Sequence, residues 1–266
     1  EVSRAAADIL AEVHQLADQG TKEIVLLGQT VNTYGRQKRS DEIPFAELLA
    51  RVAEVEGIER VRFTSPHPSD FTEDQIQAYA KIPELCPQMH LPVQSGSSKV
   101  LKAMNRSYTR EEYLAIVDRL REVAPQVALT TDIIVGFPGE TEEDFQETLS
   151  LVEYCRYQAA FSFAYSERTN TKAPKMEGEI APEERMRRLH VLQDLQNGST
   201  TEWLESMVGT RQHVLVEGPS RTHPDRSTGR TGQNRPCHLD GLFPEGSLLE
   251  VEVIEAFKHS LFARPV

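Results

Sequence analysis

The chain has 266 residues, with 29 Lys and Arg against 41 Asp and Glu, for a formal net charge of −12. That length suits one large domain or a medium one with a small appendage, and the ordinary composition suits a folded chain. The negative charge argues against sequence-blind nucleic-acid binding over the whole surface, and no apolar stretch approaches the roughly 20 residues that a membrane helix needs.

Ser3 to about Gln19 reads as a helix, with Ile9, Val13 and Leu16 at helical spacing and Gly20 as its stop. A strand over 23–28 leads into the polar loop from Gln29 to Gly35, and Pro44 opens a helix with Leu48, Leu49 and Val52 inside. Residues 60–64 alternate as a strand ending in Ser65-Pro-His-Pro68. Thr72 and Gln75 form a capping-box pattern for the helix carrying Ile76 and Tyr79. Gln88 to Val93 reads as a strand ending in Gln94-Ser-Gly-Ser97, followed by a short helix with Val100, Leu101 and Met104. Thr109 with Glu112 begins another helix, with Tyr113, Ile116, Val117 and Leu120 as its stripe. Ile133-Ile-Val135 is the apolar run of a strand buried on both faces, and Gly136 and Pro138-Gly139 force a turn into a helix capped by Thr141 and Asp144. The last unit is the strand over 159–165, with Phe161, Phe163 and Tyr165 on one face, followed by a long helix opened by Pro182.

One helix followed by five strand–helix units predicts parallel strands joined by right-handed crossovers, an α/β fold. The opening helix has no strand before it and the first residue is Glu, so the expectation is a barrel whose first strand and loop precede Glu1. After Ser206 the pattern changes to short strands, over 214–216 and 249–253, separated by Gly and Pro. Residues 206–266 are therefore expected to form a small antiparallel β-barrel closed by 258–264, and residues 1–205 the partial parallel barrel. From Met207 onward seven Lys and Arg balance seven Asp and Glu, leaving the entire −12 on residues 1–206. Within the tail, Arg221, Arg226, Arg230 and Arg235 face only Asp225 over 219–238, a basic loop expected to contact phosphates.

Cys86, Cys155 and Cys237 are too far apart for a disulfide framework or an iron–sulfur spacing, and the eight His form no HxxxH pair. No metal site is assigned within the chain, and a reducing, cytoplasmic compartment fits the thiols. Gln29, Gln94 and Asp132 stand at strand ends that a parallel barrel brings to one rim, with Arg106 in a turn on the same side. Asp and Gln for hydroxyls and Arg for a carboxylate suit a zwitterionic, ribose-containing ligand. Helix capping by Gln94 and a solvated Arg106 are the plain alternative.

Asp132-Ile-Ile-Val-Gly-Phe-Pro-Gly-Glu-Thr141, with Leu91-Pro-Val-Gln-Ser-Gly-Ser97, resembles the radical S-adenosylmethionine enzymes. More narrowly, residues 27–35, Arg62-Phe-Thr-Ser-Pro-His-Pro68 and Phe161-Ser-Phe-Ala-Tyr-Ser-Glu-Arg168 resemble the methylthiotransferases, closest to the MiaB family, which act on N6-dimethylallyladenosine in tRNA. The tail, with Val214-Leu-Val-Glu-Gly218 and residues 228–235, resembles the TRAM domain, a small RNA-binding barrel.

The resemblance implies that Gln94, Arg106 and Asp132 contact S-adenosylmethionine, that Gly136 passes its adenine, and that Gln29 and Asn32 lie near its methionine amino end. It also implies an adenosyl radical that takes hydrogen from an adenine carbon, then sulfur insertion and methylation. The implied partner is a tRNA anticodon stem-loop, without indicating the sulfur or electron donor. The family's CxxxCxxC loop, which ligates a [4Fe–4S] cluster, and its N-terminal domain with a second cluster have no counterpart in this sequence. Thr169 and Asn170 stand where Pro-Gly is usual. Methylthiolation of threonylcarbamoyladenosine or of a ribosomal protein, and a non-catalytic RNA-binding role, remain open from the residues alone.

Overall fold

A computed structural model describes residues 3–36, 43–167 and 176–266; Arg168, Thr169 and Asn170 of the departing loop lie outside them. Strands β1 (Glu23–Leu26), β2 (Arg60–Phe63), β3 (Gln88–His90), β4 (Ala128–Val135) and β5 (Ala159–Ala164) alternate with helices α1 (Ala6–Asp18), α2 (Phe45–Ala53), α3 (Glu73–Lys81), α4 (Ser98–Ala103), α5 (Arg110–Val123), α6 (Glu142–Cys155) and α7 (Pro182–Ser206). All pairings among these five strands are parallel, in sequence order. The arc is interrupted between β2 and β3, where a single bridge, Val61 with Leu85, joins a two-stranded and a three-stranded sheet. The fold is therefore a partial (β/α) barrel, with its apolar layer between the strands and the helices.

The strand expected over 88–93 stops at His90 because Pro92 has no amide to donate. The Thr131 hydroxyl fills the gap, accepting from the Val93 amide at 3.0 Å and donating to the Leu91 carbonyl at 2.9 Å. His90 aligns with Thr130 and Gln94 with Ile133, so four steps along β3 oppose three along β4. That one-residue bulge re-aims Gln94 at the end of the strand.

Thr141 and Asp144 make the predicted capping box, and so do Thr109 and Glu112. The Thr72–Gln75 box does not form: buried Gln75 instead donates to the Asn32 carbonyl at 2.8 Å, tying α3 to the loop after β1. Asp144 also accepts from Ser97 Oγ and Lys99 Nζ, both at 2.7 Å, which binds the start of α4 to the start of α6. Gly96 lies beneath that contact, where a Cβ would come within 2.4 Å of Thr148 Cα.

Beyond α7, β6 (Arg211–Pro219), β7 (Arg226–Thr231), β8 (Pro236–Asp240), β9 (Leu248–Ala256) and β10 (Leu261–Pro265) close into a five-stranded barrel with its own apolar centre. Its pairings are antiparallel except β8 with β10, which is parallel. The expected basic loop is in fact largely the β7–β8 hairpin, hidden in the sequence by Gly229 and the absence of an apolar run.

Two arginines of β2 join the barrels. Arg60 donates to the carbonyls of Arg230 (2.8 Å) and His213 (2.7 Å), and Arg62 to those of Gly232 (2.8 Å) and Thr231 (3.1 Å). Their side chains are only 5% exposed, and Glu23 supplies the countercharge at 3.1 Å from Arg62. Alternation in the sequence marks the strand but does not show that its charged residues are buried.

Two outcomes follow. Burial would raise the Asp144 carboxyl, but hydrogen bonds from Lys99, the Thr141 amide, Ser97 and the Thr141 hydroxyl outweigh it and bring the pKa to about 2 from 3.8. A depressed carboxylate contributes stability that is complete above the unfolded value and is lost as pH falls from about 4 toward 2, here about 2 kcal/mol. Urea unfolding of Asp144→Asn should show a lower midpoint at pH 6 and a shallower acid decline than the parent. Separately, Arg62→Met should weaken docking of the small barrel by about 2–4 kcal/mol, because the Glu23 charge and two carbonyls lose their donor. Limited proteolysis should then cut faster around 206–210, and an unchanged rate would contradict that role.

Candidate cofactor cavity and small barrel

A cavity of about 1070 Å³ opens at the carboxyl ends of β3, β4 and β5, with Gln94, Arg106 and Asp132 on its lining. Gln94 is held at φ +71°, a left-handed conformation that L residues other than glycine enter at a cost. Two backbone bonds lock it there, from its amide to the Asp132 carbonyl (2.8 Å) and from the Ile134 amide to its own carbonyl (2.9 Å). Arg106 is placed by the end of α4, where Asn105 adopts φ +59° and the Arg106 amide donates to the Leu101 carbonyl at 2.9 Å. Neither the Gln94 amide group nor the Arg106 guanidinium has a hydrogen-bond or ion-pair partner among the described residues; Asp132 has only His90, at 3.5 Å. Apolar surface from Ile134, Phe137, Phe163 and Tyr165 completes the wall. Tyr165 was visible in the sequence only as the last of three alternating aromatic residues, and its hydroxyl is buried without a partner.

The other expected ligand contacts are placed differently. Gln29 is exposed in the turn after β1 and does not line the cavity. Asn32 is 1% exposed, with both ends of its amide taken: Nδ2 donates to the His67 carbonyl at 3.0 Å, and Oδ1 accepts from the His67 amide at 2.9 Å. It pins two loops together and is withdrawn from the ligand set. Gly136 has φ +73°, and a Cβ there would meet Arg185 Cγ at 2.5 Å, so the space at this glycine is filled by α7. Its amide donates to Glu140 Oε1 at 2.8 Å, and the same oxygen takes Arg188 Nη1 at 2.7 Å in a buried ion pair. The glycine turn is thus braced from behind by α7.

A second cavity, about 540 Å³, lies at the amino ends of the strands, between the two barrels. Of the four tail arginines, Arg230 and Arg235 line it, and Arg221 and Arg226 do not. Arg221 is exposed and has no partner among the described residues. Arg226 lies 4.6 Å over the Phe262 ring, and Arg230 pairs with Glu217 at 2.8 Å. Arg235 is buried, donating to the Gln158 carbonyl and standing 5.3 Å over Trp203. Burial holds its guanidinium below its ordinary pKa, and it is committed inside the protein, not to a phosphate. The sequence gives no sign of this, because Trp203 and Gln158 are distant along the chain.

Residues 1–152 match the family model of the radical SAM superfamily. The chain belongs to the radical SAM superfamily. Residues 205–266 of this radical SAM chain match the TRAM domain. It is 50% identical over 262 residues to the tRNA-2-methylthio-N(6)-dimethylallyladenosine synthase of Geotalea uraniireducens, covering 98% of this chain and 59% of that protein. Proteins of the same name from Syntrophus aciditrophicus (46%, 98% of this chain, 57% of that protein) and Syntrophomonas wolfei (48%, 98% and 59%) are similar too. The radical SAM chain thus spans under three-fifths of the length of these relatives. Among solved structures, coproporphyrinogen III oxidase from Escherichia coli shares its fold, with a TM-score of 0.52 at 12% identity over 97% of this chain and 64% of that one.

Arg235→Ala should lower the melting temperature by several degrees, through loss of a buried donor and its contact with Trp203. Arg221→Ala should leave it unchanged. Thermal unfolding followed by circular dichroism distinguishes them, and equal melting temperatures would contradict the placement.

Proposed function

We propose that this chain carries the cofactor cavity and the RNA-facing barrel of a tRNA methylthiotransferase, which places a methylthio group on N6-isopentenyladenosine beside the anticodon. The observation that carries the reading is the convergence of Gln94, Arg106 and Asp132, none fully partnered by protein, on one cavity at the carboxyl ends of parallel strands. Gln94 is largely buried, where an unpaired amide group carries a cost that a ligand would remove, and Asp132 and Arg106 stand partly exposed on the same wall. Their chemistry fits S-adenosylmethionine: Asp132 accepts from ribose hydroxyls, Arg106 takes the carboxylate in a charge-assisted bond, and Gln94 offers both a donor and an acceptor. The aromatic wall accommodates the adenine. When bound beside its cluster, S-adenosylmethionine supplies the radical and the methyl group. A non-catalytic RNA-binding protein would have no use for this cavity.

Among the described residues no group of side chains fits a [4Fe–4S] cluster. Cys86, Cys155 and Cys237 are buried singly, and burial pushes their thiols up to about 11, 11 and 12, away from the thiolate form. In this reading the cluster ligands belong to sequence outside these residues, and the work of this chain is to bind, orient and screen. The acidic core repels RNA except where the tail offset allows approach, so the anticodon stem-loop meets the small barrel. Arg221, and Arg230 at the edge of the cavity between the barrels, are the phosphate contacts. The compartment is the cytoplasm, where tRNA and reduced thiols coincide.

The test is mass analysis of tRNA from cells with and without the full-length protein. Its loss should remove the 2-methylthio nucleoside and leave the isopentenyl one; a complementing copy with Asp132→Asn should fail to restore it. Unchanged tRNA on deletion would overturn the reading. Arg221→Ala should reduce the salt slope of tRNA binding by about one unit across sequences.

A further inference from the structure

The cofactor cavity and the cavity between the barrels meet at one pair of side chains. His90 lines the second, Asp132 lines the first, and His90 Nε2 stands 3.5 Å from Asp132 Oδ2. The other imidazole nitrogen, Nδ1, is 3.0 Å from Thr130 Oγ1. Thr130 and Asp132 are two apart on β4 and therefore share a face, while His90 is in register with Thr130 across the β3–β4 pairing. Phe161, in register with Asp132 on β5, stands edge-to-face with the imidazole at 6.0 Å. The ring is thus held by a hydroxyl on one side and an aromatic ring on another, with its remaining nitrogen toward the carboxylate.

We propose that His90 is a positioning residue for Asp132: its Nε2–H is donated to the carboxylate and aims the opposite oxygen at the ligand in the cofactor cavity. This rests on the reading of that cavity as the S-adenosylmethionine site. The arrangement has a physical reason. Asp132 has no other partner among the described residues, and a lone partly buried carboxylate on a strand can rotate among several orientations, whereas a single donor on the side away from the ligand selects one. The carboxylate selects the tautomer: it can only accept, so the proton facing it sits on Nε2, and the Thr130 hydroxyl, which can donate or accept, then donates to Nδ1. A mutation at His90 should therefore act on the ligand through Asp132.

The alternative is that His90 only fills the barrel interior, and amide replacements separate the two. A Gln side chain carries its NH₂ group where Nε2 stands, and an Asn side chain reaches only as far as Nδ1. In the full-length, cluster-loaded protein, calorimetric titration with S-adenosylhomocysteine should show about tenfold weaker binding for His90→Ala and His90→Asn. His90→Gln should stay within about threefold of the parent, and melting temperatures serve as the control for folding. Equal affinity in all three variants, or equal loss in Gln and Asn, would overturn the proposal while leaving the cofactor reading intact. A parent protein that binds no S-adenosylhomocysteine would remove both. Loss of affinity in Ala and Asn with recovery in Gln supports a directed donor at Nε2.

Discussion

The two barrels are held in one relation by buried guanidinium groups. Arg60 and Arg62 reach from β2 into the small barrel and take four of its backbone carbonyls, and Arg235 returns the contact from the small barrel to the Gln158 carbonyl. Each guanidinium offers five donors in a rigid plane, so two carbonyls per arginine fix an orientation as well as a distance. Burial makes the arrangement unforgiving: Arg60 is held below its ordinary pKa chiefly by desolvation, and only the full set of acceptors with Glu23 offsets that penalty. Losing one partner leaves a charge or a carbonyl stranded in the seam.

That seam fixes the geometry of everything else. The small barrel sits at the amino ends of the parallel strands, and the cavity with Gln94, Arg106 and Asp132 opens at their carboxyl ends. Val25, Phe161 and Phe163 leave apolar surface exposed on strands of this barrel. The brace behind the glycine turn, Glu140 with Arg188, and the Asp144 junction of α4 with α6 keep the carboxyl-end rim rigid from outside.

Much of the fold could be read in the sequence because it follows local rules. Alternation of strand and helix periods, the capping boxes at Thr109 and Thr141, and Pro182 at the first turn of α7 all act within a few residues. Gln94, Arg106 and Asp132 could be placed together because strand ends in parallel barrels converge. What could not be read depends on partners far along the chain. Asn32 looked like a ligand contact, yet its amide is consumed by the His67 peptide; Arg235 looked like a phosphate contact, yet Trp203 and Gln158 bury it. At Gly136 the space that a Cβ would need is taken by Arg185, a partner far along the chain. Pro92, by contrast, is a local signal for the end of β3 and the bulge that follows.

On the proposed function, the adenosyl ligand binds at the carboxyl ends of the parallel strands and RNA meets the small barrel clamped at their amino ends. Photolabelling with an 8-azidoadenosyl derivative of S-adenosylmethionine, followed by peptide mapping by mass spectrometry, tests it most directly. Label on peptides containing residues 132–137 or 161–166, suppressed by unlabelled S-adenosylmethionine, is the predicted result. Competable label on 213–217 or 230–236, in the seam between the barrels, would contradict it.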